Sequence, residues 1–135
     1  MAHILIADDE AAERKLVRSI LSDAGHTVAE APNGAEALTL LASQKYDLLI
    51  TDMYMPIMEG TELISHCQTL HPGLPIVAIS GGGTYGEGYS LAALDAAVSL
   101  GAAQKLYKPF VVDQLLGLVE GCLAGPLPPA AAPVD

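Results

Sequence analysis

Residues 47–52, Asp47-Leu48-Leu49-Ile50-Thr51-Asp52, decide the fold. The run between the two acids is almost wholly apolar. A strand with one wet face would alternate, so this stretch fits a parallel strand covered on both faces. His3-Ile4-Leu5-Ile6-Ala7 has the same character and also stops at acids, Asp8 and Asp9. Pro75-Ile76-Val77-Ala78-Ile79-Ser80 has it again and stops at glycines. Thr27-Val28-Ala29 and Gln104-Lys105-Leu106-Tyr107 are weaker strand candidates.

Helix-like segments separate these runs. Glu10 to Ala24 carries Leu16, Val17, Ile20 and Leu21 at helical spacing, with Gly25 as a stop. Asn33 is placed to cap a helix running to about Gln44, with Ala37, Leu38, Leu40 and Leu41 as its apolar stripe. Further helices are expected over Gly60–Leu70, Tyr89–Leu100 and Val111–Leu123. Strands alternating with helices predict an α/β fold: a doubly wound, five-stranded parallel sheet with right-handed crossovers and helices on both faces. The ligand crevice of such a sheet lies at the carboxyl ends of its strands.

Composition narrows the function. The chain has 135 residues, which suits one domain and leaves no output domain to expect. Residues 1–124 read as that domain. Residues 125–135, with Pro126, Pro128, Pro129 and Pro133, read as a flexible tail. Hydrophobic residues make up 51%, enough for a core, and with one Phe and no Trp that core must be mostly aliphatic. A net charge of −10 argues against nucleic acid as a partner. No apolar run reaches the roughly 18 residues that span a bilayer, and acids stand where a signal peptide would be apolar. A cytoplasmic protein is expected, with Cys67 and Cys122 reduced and structural.

The strand ends carry the chemistry. Asp8 and Asp9, Asp52, Ser80, and Lys108-Pro109-Phe110 each follow a strand, so the fold gathers them at one edge. Singly, each has a plainer reading as a helix cap, a turn residue or a loop residue. Jointly they make a pocket of three carboxylates, a hydroxyl and an ammonium. Crowded carboxylates repel one another, and a hard cation such as Mg²⁺ relieves this. Asp9, Asp52 and the backbone carbonyl of Tyr54 are the expected direct ligands, with Asp8 acting through water. Asp52 is the expected nucleophile toward phosphorus. Lys108 and the Ser80 hydroxyl would take the phosphoryl oxygens that the metal leaves.

These residues resemble the receiver domain of bacterial two-component response regulators, of the stand-alone, single-domain type. The resemblance runs from Ile4 to Leu123. It rests on Ile4-Leu5-Ile6-Ala7-Asp8-Asp9-Glu10, on Asp52-Met53-Tyr54-Met55-Pro56 with Gly60, and on Gly101-Ala102 ahead of Lys108-Pro109-Phe110. It implies a flavodoxin-like (βα)5 fold with strand order 2-1-3-4-5. It further implies Asp8 and Asp9 as the acidic pair, Asp52 as phosphoacceptor, Ser80 as switch hydroxyl, Lys108 as the phosphoryl-binding lysine, and a cis bond before Pro109. The implied donor is a histidine kinase or histidine phosphotransfer protein, and the downstream protein target is unknown.

The chain departs from that pattern in three places. Lys105 falls where a switch aromatic is usual, with Tyr107 read as pointing to the opposite face. The stretch Gly81 to Gly88, including Gly82, is long and glycine-rich, a candidate order–disorder switch. The resemblance implies that the positions held here by Tyr54 and Gly82 help set acyl-phosphate hydrolysis, and Gly82 has no side chain to orient water, so a long-lived phosphoryl group is expected. Arg14, Lys15 and Arg18 are either a solvated face paired with Glu10 and Glu13 or a docking patch for the donor. The alternatives to a phosphoacceptor are a Mg²⁺-dependent phosphohydrolase, a phosphorylation-independent interaction module on the same fold and, with least support, a flavin-type cofactor binder.

Overall fold

The structure, a computed structural model, describes residues 1–81 and 86–124, the side chains of 86–90 excepted. Residues 82–85 of the glycine-rich stretch, Gly82 among them, and the 125–135 tail lie outside the described residues. The elements in chain order are β1 His3–Ala7, α1 Ala11–Asp23, β2 Thr27–Ala31, α2 Gly34–Ser43, β3 Leu48–Asp52, α3 Gly60–Leu70, β4 Ile76–Gly81, α4 Gly86–Leu100, β5 Gln104–Lys108 and α5 Val112–Leu123. The strands form one parallel sheet in the order β2-β1-β3-β4-β5. The register sets Ala7 beside Thr51, Asp52 beside Ile79, and Gly81 beside Lys108, so the strands end together at one edge.

The apolar runs are continuous because both faces of the sheet are covered. Leu5, Leu49 and Ala78 pack under α2, α3 and α4, against Leu41, Leu63, Ile64 and Leu94. Ile4, Ile6, Leu48, Ile50 and Val77 face the other way, onto Val17 and Leu21 of α1 and Leu115 and Val119 of α5. Fully burying one such side chain contributes about 1.5–3 kcal/mol. Asn33 caps α2 as expected, its side chain accepting from the Glu36 N–H at 2.9 Å.

Three local expectations are corrected. Leu16 is not part of the buried stripe of α1: it is 58% exposed, while Val17 and Leu21, four apart, take the core-facing positions. Helix α4 begins at Gly86 rather than Tyr89, so Gly86 and Gly88 are helical. Intrinsic propensity disfavours glycine in a helix by only about 1 kcal/mol, which tertiary packing routinely overrides. Tyr107 does not oppose Lys105. The pleat repeats every second residue, so both lie on the α4 side, with Leu106 between them packed on the other face.

Gly60 joins the sheet edge to α3. Its N–H donates to the Met53 carbonyl at 2.9 Å. A Cβ there would overlap the Asp52 carbonyl oxygen and come within 2.8 Å of Met53 Cα. Backbone cannot yield as a flexible side chain can. Gly60→Ala is therefore expected to cost about 1–3 kcal/mol, read as a lower urea midpoint at unchanged slope. An unmoved midpoint would show that the turn after Asp52 relaxes freely.

Candidate functional site

Asp8 lies one residue beyond β1. Its N–H continues the ladder by donating to the Ala31 carbonyl at 3.0 Å, and its own Oδ1 accepts the Glu10 N–H at 2.9 Å. Asp52 closes β3. Its Oδ1 accepts the Met53 N–H at 2.7 Å, and its Oδ2 lies 3.6 Å from Lys108 Nζ. Asp8, Asp52 and Ser80 are all buried, at 7%, 8% and 1% exposure. Lys108 closes β5, and the following bond to Pro109 is cis, as the resemblance implied. Gly81 lets β5 come this close, since a Cβ on it would sit 2.5 Å from Lys108 Cβ.

Glu13, expected only as a partner for the basic residues of α1, belongs to the pocket. Lys108 Nζ donates to Glu13 Oε1 at 2.5 Å, much nearer than to Asp52. One carboxylate oxygen each from Asp8, Glu13 and Asp52 lies within 4.8 Å of the others. The available signal was an acid in the first turn of a helix that starts directly after the β1 acids. Asp9 is exposed and outside that trio, though its charge still reaches Asp52. Tyr54 follows in the β3–α3 loop, half-buried against the core.

Burial dominates the electrostatics. It pushes the Asp8 carboxyl up to about 7, aided by the charges of Asp52 and Glu13 and opposed by the Glu10 N–H and Lys108. Burial likewise raises Asp52, with Lys108 and the Met53 N–H opposing. Burial alone would lower Lys108, but the Glu13 hydrogen bond and the Asp52 charge outweigh it and hold the ammonium above its ordinary range.

The raised Asp8 has a consequence for stability. Between about pH 4 and pH 7 the native state binds a proton that the unfolded chain has released. Stability contributed by this group is therefore full at the acid end and lost as pH rises through 7. Three pH units correspond to at most about 4 kcal/mol. In chelator, wild type should lose stability between pH 5 and pH 8 relative to Asp8→Asn, by urea unfolding. Parallel pH profiles for the two would show that Asp8 is already ionised at pH 5.

The basic residues of α1 are partly committed. Arg14 Nε donates to Glu30 Oε1 at 2.7 Å and its Nη1 to the Asp8 backbone carbonyl at 2.7 Å. Arg18 Nη1 donates to Glu30 Oε2 at 2.7 Å. Against the burial that would raise it, this pair holds Glu30 below its usual range. The expected partners Glu10 and Glu13 are replaced by Glu30 on β2, because Glu13 is turned to Lys108. Lys15 is exposed. Lys105 Nζ donates to Asp95 Oδ1 of α4 at 2.7 Å, both side chains exposed. Cys67 and Cys122 are free thiols, Cys67 buried and pushed up to about 11 by that burial. Among the described residues no helix is long and apolar enough to cross a membrane.

Comparison with known proteins gives one family. Residues 4–120 match the family described as the response regulator receiver domain. The crystal structure of the receiver domain of NtrX from Brucella abortus is 32% identical, with a TM-score of 0.81 over 90% of this chain and 98% of that one. Chemotaxis protein CheY4 of Vibrio cholerae is 30% identical, with a TM-score of 0.79 over 91% of this chain and 99% of that one. The DNA-binding transcriptional regulator NtrC of Azospirillum brasilense is 36% identical over 99% of this chain but only 27% of its own length. For response regulator MprA of Mycobacterium ulcerans, also 36% identical, the shares are 89% and 49%. The chain thus spans about a quarter to a half of these curated relatives.

Proposed function

Because this chain belongs to the response regulator receiver domain family, we propose that Asp52 accepts a phosphoryl group from a phosphohistidine, and that the change alters which protein the domain binds. The donor is a histidine kinase or a histidine phosphotransfer protein. One observation carries the reading: Asp52 Oδ2 lies 3.6 Å from the Lys108 ammonium, in a buried pocket with the carboxylates of Asp8 and Glu13.

The donor set fits Mg²⁺. Its atoms are hard oxygens, crowded together, and one of the carboxyls is held near pH 7 by burial and negative neighbours. Asp8, expected to act through water, and Asp52 would hold the ion, while the exposed Asp9, expected as a direct ligand, would stand at the rim and the Tyr54 carbonyl would complete the protein ligands. When bound, it supplies positive charge to the phosphoryl oxygens.

The protein's own groups divide the rest of the work. The Met53 N–H holds Asp52 Oδ1, which leaves Oδ2 to attack. The Oδ2–P bond forms as the bond from phosphorus to the histidine nitrogen breaks. The electron pair stays on that nitrogen, which takes a proton from water. The Lys108 ammonium and the Ser80 hydroxyl neutralise and orient the transferred oxygens.

Exposed apolar side chains at the same edge offer the donor a surface. Leu16 on α1, Ile57 in the β3–α3 loop and Val111 ahead of α5 are 58%, 80% and 62% exposed. Lys15 and Arg18 add exposed positive charge, whereas Arg14 is turned to Glu30 and Asp8. The functional unit is residues 1–124, and its two free thiols suit the reducing cytoplasm. Incubation with acetyl phosphate and Mg²⁺ should add one phosphoryl mass, labile to hydroxylamine as an acyl phosphate is. No adduct, or a hydroxylamine-stable one, would sink the reading.

A further inference from the structure

One ammonium here serves two carboxylates. Lys108 Nζ lies 2.5 Å from Glu13 and 3.6 Å from Asp52. Lys108 enters the pocket from β5 and Glu13 from the first turn of α1, 95 residues away in sequence. The backbone of Lys108 is confined by the close approach of Gly81, so the ammonium moves only as its side chain swings. Asp52 forms the floor of the pocket and is buried, whereas the Glu13 side chain is 40% exposed at the rim.

We propose that Glu13 is a positioning residue that draws Lys108 off the phosphoacceptor and so restrains phosphorylation of Asp52, an inference that rests on the phosphoacceptor reading above. A phosphoryl group on Asp52 needs the ammonium beside it. Lys108 must then leave Glu13, and a carboxylate is left uncompensated beside a doubly charged anion. Both effects oppose phosphorylation. A third effect runs the other way. Glu13 is one of the three clustered carboxylates, so its charge helps attract a divalent cation. Neutralising Glu13 therefore separates two quantities that a merely structural ion pair would leave alone.

The test is Glu13→Gln, which keeps the shape and removes the charge, with Glu13→Asp as the conservative control. Phosphorylation by acetyl phosphate is followed across a Mg²⁺ titration. At saturating Mg²⁺ the Gln variant should react about three- to tenfold faster than wild type, while needing more Mg²⁺ for half-maximal rate. The Asp variant should stay near wild type in both. A second readout needs no metal: the Lys108 ammonium resonance in chelator should move in the Gln variant. A rate at saturating Mg²⁺ that is unchanged or slower, or a Lys108 resonance that does not move, would overturn the role of Glu13 while leaving Asp52 as phosphoacceptor. Failure of wild type itself to take up phosphate would remove the phosphoacceptor reading, and this one with it.

Discussion

Asp52→Ala is expected to remain folded and to lose phosphoryl uptake by more than about 1000-fold, down to chemical background. Folding should survive because the lost carboxylate is itself a burden. Burial raises its pKa, it lies near two other carboxylates, and Lys108 keeps its ion pair with Glu13. Activity should not survive, because among the described residues no neighbouring acid is free to take its place. Asp8 is held by the Glu10 N–H and by its own raised pKa, Glu13 is taken by Lys108, and Asp9 points to solvent. Intact-mass measurement after acetyl phosphate and Mg²⁺ checks this, with a urea melt to confirm the fold. A variant that still takes up phosphate at the wild-type rate would move the acceptor to another acid.

Lys108→Ala should slow phosphorylation at saturating Mg²⁺ by about 100- to 1000-fold, the usual cost of removing one preorganised donor to developing negative charge. Lys108 is the cation paired with both Asp52 and Glu13. Its loss leaves three crowded carboxylates without that counter-charge and lets burial push Asp52 higher still. Lys108→Arg should recover only part of the rate, because a planar guanidinium does not replace a compact ammonium in a pocket shaped around it. Single-turnover rates for wild type, Ala and Arg variants decide the matter. A Lys108→Ala rate within threefold of wild type would mean that the ammonium serves the resting pocket and not the transfer.

Much of this pocket was legible from residue order, for a local reason. A strand covered on both faces must be apolar along its length, so the first charged residue marks where it leaves the sheet. That is why Asp8 and Asp52 could be placed at strand ends from the runs before them; β5, an edge strand that carries Lys105 within it and closes on Lys108, gives no such signal. The cap at Asn33 and the start of α3 at Gly60 are equally local. Leu16 shows the limit of helical periodicity: four apolar residues in α1 satisfied the spacing, yet only Val17 and Leu21 are buried, and Leu16 stands about 100° round the helix from Val17. Tyr107 shows a different failure, a strand pleat read with the wrong parity.

The residues before and after each strand, read alone, determined that this is a doubly wound parallel sheet with acids, a hydroxyl and a lysine at its carboxyl edge. Which groups at that edge hold one another was settled only by tertiary structure: Glu13 on Lys108, Glu30 between Arg14 and Arg18, Asp95 on Lys105. Strand and helix signals arise from neighbours a few residues apart, and a sequence displays them directly. An ion pair is chosen by distance in space, and Glu13 meets Lys108 only after the crossovers have laid β1 and β5 into one sheet with α1 across its edge.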